Sequence, residues 1–170
     1  MLIRIRPWKE GDEMNLVKYA NNKNIARNLR ELFPNPYTLS DARTWIAFNK
    51  DLLPALNMAI IWENEVIGAV GIVLKEDIHR KNAEIGYWIG EPFWRKGFAT
   101  KAVKMMIDYT FENYDVTRIF ASTFDHNIAS QKVLLKSGFK LEARLKKALF
   151  KNGRYADEII MSLLKEDYLT

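Results

Sequence analysis

One stretch of this sequence carries residue types in an order that suits anion binding. In Glu84-Ile-Gly-Tyr-Trp-Ile-Gly-Glu-Pro-Phe-Trp-Arg-Lys-Gly-Phe-Ala-Thr100, a β-branched and aromatic run passes through a basic, glycine-containing turn into an amphipathic helical pattern. The first N–H groups of a helix lack internal partners and carry the positive end of its dipole, so a phosphate placed there is stabilised. Gly97 lets the backbone approach a ligand without a Cβ, Ala99 keeps the next contact small, and Arg95 and Lys96 add full positive charge. A pyrophosphate fits such a cradle. A second segment, Asn127-Ile-Ala-Ser130, reads as a helix start with Asn127 as N-cap and Ser130 in the first turn.

What is missing narrows the chemistry. The chain has no cysteine, which excludes disulfides, a thiol nucleophile and thiolate metal sites. Its two histidines, His79 in a charged loop and His126 just before the expected N-cap, are too few for most zinc sites and read as structural. Catalysis here is expected to work without a metal.

Trp94-Arg-Lys-Gly-Phe-Ala99 resembles the pyrophosphate loop of the GNAT acetyltransferases, written Gln/Arg-x-x-Gly-x-Gly/Ala. Trp94 departs from the general pattern, although an aromatic residue there is common in the ribosomal-protein N-acetyltransferase (RimJ/RimL-like) branch. Further stretches match that branch in order: Ile3-Arg-Ile-Arg-Pro7, Ala83-Glu-Ile-Gly-Tyr-Trp-Ile89, Asn127-Ile-Ala-Ser-Gln-Lys-Val-Leu-Leu-Lys-Ser-Gly-Phe139 and Phe150-Lys-Asn-Gly-Arg-Tyr-Ala-Asp157.

The resemblance implies an acetyl-CoA-dependent acyltransferase in which an amine attacks the thioester directly, without a covalent enzyme intermediate. Such a reaction needs a route for the amine proton, backbone donors for the oxyanion and an acid for the departing thiolate. It implies that the pantetheine arm lies in a V-shaped opening between two parallel strands, here around Tyr87 to Gly90 and Arg118 to Thr123. The co-substrate is expected at Trp88, Ile89, Arg95, Lys96, Gly97, Phe98, Ala99, Thr100, Asn127 and Ser130. Glu84 is the expected base and Ser130 the expected proton donor to sulfur, with a water path and a helix-capping serine as the respective alternatives. Phe33, Tyr37, Glu84, Tyr155 and Asp157 are expected at the acceptor. Two family features are missing: the tyrosine acid of many relatives is Leu134 here, and a second glutamate is Leu149.

Elements must position these groups, and the apolar periods supply them. Leu2 to Arg6 predicts a strand and Asp12 to Ala20 a helix; a Pro-containing loop from Asn28 to Tyr37 follows, then a helix from a Thr38-Leu-Ser-Asp41 capping signal to about Leu53. Asn57–Trp62 and Val66–Leu74 flank a turn at Glu63-Asn-Glu65, the pattern of a hairpin, and Ala83 to Ile89 is a third strand. Ala99, Ala102, Val103, Met106, Ile107, Thr110 and Phe111 then mark one face of a helix. Arg118 to Thr123 predicts a strand, Ile128 to Lys136 a helix, and Phe139 to Leu145 and Tyr155 to Leu164 the last two strands. The fold class is α/β (α+β): a mixed, mainly antiparallel central sheet flanked by helices, with, by the resemblance, a splayed parallel strand pair.

Bulk properties agree with one domain over residues 1–170, with 48% apolar and 28% charged residues and no linker-like stretch. No apolar run approaches a membrane span and the N-terminus is unlike a signal peptide, so the expectation is a cytoplasmic protein without a membrane partner. A net charge of +5 attracts anions and modestly disfavours polycationic acceptors, while no basic helical stripe or RNA-binding signature points to direct nucleic-acid binding. The resemblance favours a protein N-terminal amino group as acceptor; a polyamine, an aminoglycoside-type amine and a non-catalytic CoA-binding role are the alternatives, and two copies could associate as a homodimer.

Overall fold

A computed structural model describes residues 2–168. Its elements are β1 (Arg4–Pro7), α1 (Glu13–Ala20), α2 (Lys23–Ala26), α3 (Leu39–Asn49), β2 (Asn57–Trp62), β3 (Glu65–Leu74), β4 (Asn82–Ile89), α4 (Phe98–Asn113), β5 (Arg118–Phe124), α5 (Ile128–Lys136), β6 (Lys140–Lys151), β7 (Arg154–Leu164) and α6 (Lys165–Tyr168). The seven strands follow the hydrogen-bonded order β1-β2-β3-β4-β5-β7-β6. The pairs β1·β2, β2·β3, β5·β7 and β6·β7 are antiparallel and β4·β5 is parallel, which makes the sheet mixed and mainly antiparallel, as expected.

The described residues fall into two compact units, one running to Gly71 and including Tyr87–Met106, the other comprising Ile72–Gly86 and the chain from Ile107 onward. The first unit is organised by an apolar cluster of Trp8, Leu16, Ala20, Tyr37, Ala42, Ile46, Ala59, Ile61, Val66 and Ala69. Its β2–β3 hairpin turns on Glu63 and Asn64, with φ of 47° and 69°, the left-handed pair that a tight two-residue turn requires. Thr38 and Asp41 form the expected capping box of α3, worth about 1 kcal/mol of helix stability. Arg6 holds Asp12 in a two-pronged ion pair with both bonds at 2.7 Å, tying β1 to the residue that opens α1.

The second unit is built on β5 and β7, whose Ile119, Ala121, Ile159, Met161 and Leu163 are buried. The chain returns from β6 to β7 through Asn152 and Gly153, with φ of 51° and 74°. Long helix α4, which belongs to the first unit up to Met106 and to the second from Ile107, buries Phe98, Ala102, Val103, Met106, Ile107, Thr110 and Phe111, which matches the predicted face apart from Ala99, half-buried at its start, and extends it by Phe98.

Several boundaries differ from the sequence expectation. The first strand begins at Arg4, not Leu2, and α1 begins at Glu13 with Asp12 as its cap. Helix α3 stops at Asn49 instead of continuing to about Leu53, because the Asn49 amide donates to the Trp45 carbonyl and its oxygen accepts from Asn57, so this side chain serves the loop that follows. The single-turn helix α2 was not foreseen; Asn22 creates it by accepting from the amides of Asn24 and Ile25. Strand β6 was expected to end at Leu145 but reaches Lys151, because it absorbs two register shifts against β7 and resumes pairing at Leu149.

Candidate active site

In the first unit, the segment between β4 and α4 has the shape of an anion cradle. Arg95 and Gly97 both take positive φ, 62° and 78°, which turns the chain sharply before the helix. A Cβ on Gly97 would meet nothing within 4 Å, so the glycine is required by its backbone conformation and faces open space where a ligand can approach. The first helical bond runs from the Lys101 N–H to the Gly97 carbonyl, which leaves the amides of Phe98, Ala99 and Thr100 ahead of the hydrogen-bonded turns. The Phe98 side chain is only 1% exposed, so the backbone is what this residue can offer a ligand.

The cradle rests on aromatic rings. Trp62, Phe93 and Phe98 pack with centroid separations of 5.6, 5.8 and 6.5 Å, and the Lys96 ammonium lies 5.7 Å from the Trp62 ring and 5.5 Å from Phe93. That placement restricts an otherwise mobile cation. Trp94, the departure from the family pattern, donates its indole N–H to the Ile89 carbonyl at 2.7 Å and so closes the loop onto the end of β4. Gly90 is small for a steric reason: a Cβ there would lie 3.0 Å from the Tyr19 ring. Tyr19 is itself fixed, its hydroxyl donating to Glu65, which also accepts from Lys18 and is held below the usual carboxylate range by those two bonds. Glu91, also lowered, accepts from Asn22 and Asn24.

Phe33 and Tyr37, expected at the acceptor, pack together at 5.1 Å, and Phe33 meets Trp88 edge-on at 6.1 Å. Tyr37 is only 5% exposed, and burial first, then the charge of Asp41, pushes its hydroxyl up to about 12. It acts as a core residue, while half-buried Phe33 and Trp88 keep some accessible surface.

In the second unit, the parallel ladder joins Asn82, Ala83 and Glu84 to Arg118, Ile119 and Phe120. Glu84, the expected base, is largely buried and its carboxylate accepts from the Lys75 ammonium at 2.7 Å. Lys75 also lies 5.3 Å from the Phe120 ring, with Arg118 5.0 Å from the same ring. A cleft of about 380 Å³ is lined by Lys75, Glu76, His79, Asn82, Arg118, Phe120 and Ile160. Asn127 caps α5 by accepting from the Ser130 N–H at 3.2 Å, so the capping arrangement read from the sequence is present, with Ser130 half-buried in the first turn. Leu134 is fully buried, and its aliphatic side chain has no proton to give.

Asp157 and Tyr155 are engaged within the β6–β7 hairpin. Asp157 accepts from the Lys147 N–H at 2.9 Å and from Arg144 at 2.7 Å, and these bonds lower its carboxyl below its usual range. Tyr155 is exposed and packs on Phe150 at 5.0 Å. His126 packs against Phe124 at 5.1 Å, in keeping with a structural reading.

Thus Phe33, Tyr37, Trp88, Ile89 and residues 95–100 share one unit, and Glu84, Asn127, Ser130, Tyr155 and Asp157 share the other. Sequence reasoning missed Lys75, Trp62 and Arg144, because each acts through a partner distant in the chain; only Trp94 was flagged, by its residue type within the loop.

This constellation, a strand ending in a basic loop with a left-handed glycine at the start of a long helix, suits a phosphate-bearing ligand. The chain belongs to the GNAT acetyltransferase family: the profile of the acetyltransferase (GNAT) domain matches residues 3–140, which run through both units. It is 37% identical over 139 residues to the N-acetyltransferase p20 of Bacillus licheniformis, itself uncharacterized, covering 78% of each chain. It is 30% identical over 116 residues to YdaF of Bacillus subtilis (strain 168), a proposed ribosomal N-acetyltransferase, covering 68% of this chain and 63% of YdaF. That relative agrees with the RimJ/RimL-like branch. Among solved structures, spermidine N-acetyltransferase from Vibrio cholerae in complex with CoA and spermine matches with a TM-score of 0.80 and 25% identity, over 99% of this chain and 98% of that one.

Proposed function

We propose that this chain transfers an acetyl group from acetyl-CoA to a primary amine, the α-amino group of a protein N-terminus, and that its two units together make up one acetyltransferase domain. The observation that carries this reading is the loop ending at Gly97, where φ of 78°, open space over the α-carbon and the amides opening α4 suit a pyrophosphate. Arg95 and Lys96 supply its counter-charge. Acetyl-CoA provides the activated thioester; the chain's own residues bind it, orient it and handle protons.

In the proposed reaction the amine nitrogen attacks the thioester carbonyl carbon, a C–N bond forms and the C–S bond breaks. Glu84 takes the proton lost by the amine, and the Ser130 hydroxyl gives one to the CoA sulfur; both groups then re-equilibrate with water. Leu134, buried where many relatives have a tyrosine, cannot donate. The acceptor is read as a polypeptide because YdaF is a proposed ribosomal N-acetyltransferase and because a net charge of +5 modestly disfavours a polycationic acceptor. Among the described residues no helix is long and apolar enough to cross a membrane. A cytoplasmic location is part of the same proposal.

The test is thiol release from acetyl-CoA by the purified chain with N-terminal peptides, spermidine or an aminoglycoside as acceptor. Release with peptides that disappears in Gly97→Trp is the expected result. Release with spermidine alone overturns the acceptor, and acetyl-CoA binding without release to any amine overturns catalysis.

A further inference from the structure

A dense run of positive charge lies at the turn of one hairpin. Between Arg144 and Arg154 lie five basic residues, Arg144, Lys146, Lys147, Lys151 and Arg154, and no acidic one, and the rest of the chain carries twenty-one basic and twenty-one acidic residues. The net charge of +5 is therefore numerically that of eleven residues at the end of β6 and the start of β7.

The hairpin is shaped to present two of them, Lys146 and Lys147. Leu145 pairs with Glu158 and Leu149 with Ala156, so three residues of β6, Lys146, Lys147 and Ala148, stand opposite Asp157 alone. Asp157 fastens this bulge by accepting from the Lys147 amide and from Arg144, and Lys147 adopts φ of 53°. Residues 144–148 are all exposed. Beyond the bulge, Phe150 and Tyr155 face each other across the strands at 5.0 Å and stay 60% and 67% exposed, an aromatic pair left open at the tip.

We propose that this hairpin docks a carboxylate-rich segment of the acceptor polypeptide, with Lys146 and Lys147 meeting its acidic side chains and Phe150 and Tyr155 its apolar ones. The inference rests on the acceptor being a polypeptide, and it adds the chemistry of the chain that follows the acetylated terminus. A second copy is a poor occupant, because the exposed Lys146 and Lys147 would meet like charges. Nucleic acid is a poorer fit than peptide, because β6 is an edge strand whose backbone N–H and C=O groups complement an extended polypeptide and have no counterparts in a phosphodiester chain.

The test uses the full chain and a short fluorescein-labelled peptide of alternating Glu and Ala, read by anisotropy, beside the Gln-Ala peptide, a single-stranded oligonucleotide and anionic vesicles. The Glu-Ala peptide binds most tightly, and K146E/K147E weakens it about tenfold while leaving thiol release with a small amine unchanged. Phe150→Ala weakens it about threefold. Equal binding of the two peptides, or tighter binding of the oligonucleotide or vesicles, overturns the proposal. In turnover, an unlabelled peptide with a free N-terminus followed by acidic residues shows a KM raised by K146E/K147E with kcat retained; an unchanged KM overturns the acceptor as occupant. Absence of all turnover would count against the acetyltransferase reading, and the anisotropy result would still decide whether the hairpin takes acidic peptide.

Discussion

The indole of Trp94 donates to the carbonyl of Ile89 at 2.7 Å, linking the basic loop to the last residue of β4. The loop that carries Arg95 and Lys96 is therefore fastened at both ends, by this bond and by the burial of Phe98. The departure from the family pattern at Trp94 thus has a structural role: an aromatic donor holds the shape of the loop.

Trp94→Phe keeps the ring and removes the donor. A hydrogen bond of this kind is worth about 1 kcal/mol, so the KM for acetyl-CoA is expected to rise about fivefold with kcat little changed. A kcat that falls as much as KM rises would show that the indole acts on the chemical step. Initial rates at varied acetyl-CoA and saturating acceptor decide this.

Lys75 and Glu84 make a second pair to separate. Glu84→Gln is nearly isosteric and, if this carboxylate takes the amine proton, lowers kcat about a hundredfold with acetyl-CoA binding preserved; an unchanged kcat would assign proton removal to water. Lys75→Met leaves a largely buried carboxylate without its cation and is expected to cost about 1–2 kcal/mol, the exposure of Lys75 tempering the loss. Urea denaturation reads it, and Lys75→Arg restores it.

Tyr37 gives a pH signature. Burial favours its neutral form and raises it to about 12, so its contribution to stability is complete below the ordinary tyrosine range, near 10, and is lost as pH climbs toward about 12. Tyr114 is raised to about 12 as well, chiefly by burial. Absorbance titration of the phenolate is expected to show a late-titrating class that loses one member in Tyr37→Phe. If the late amplitude stays the same in that variant, Tyr37 is not held neutral by its surroundings.

Much of the local geometry of the candidate site was legible before any coordinates. Gly97, the basic pair before it and the amphipathic face of α4 follow from local rules: which residues tolerate positive φ, where helices leave amides unpaired, and which spacing makes one face apolar. Asn127 as the cap of α5 is equally local. These are interactions within a few residues, so chain order alone specifies them.

Other features needed distance in sequence to become closeness in space. Nothing near Lys96 announces that Trp62 will lie under it, and nothing near Glu84 announces Lys75. The resemblance gives Asp157 only as an acceptor contact; strand pairing shows that it also stands opposite three residues of β6 and fastens that bulge. Composition gave the charge of +5; only the folding of Arg144 to Arg154 into an exposed, bulged edge gave that charge a location. A sequence determines what each segment can form by itself, whereas strand register and side-chain packing are settled collectively, because a partner's identity depends on where every intervening turn sends the chain.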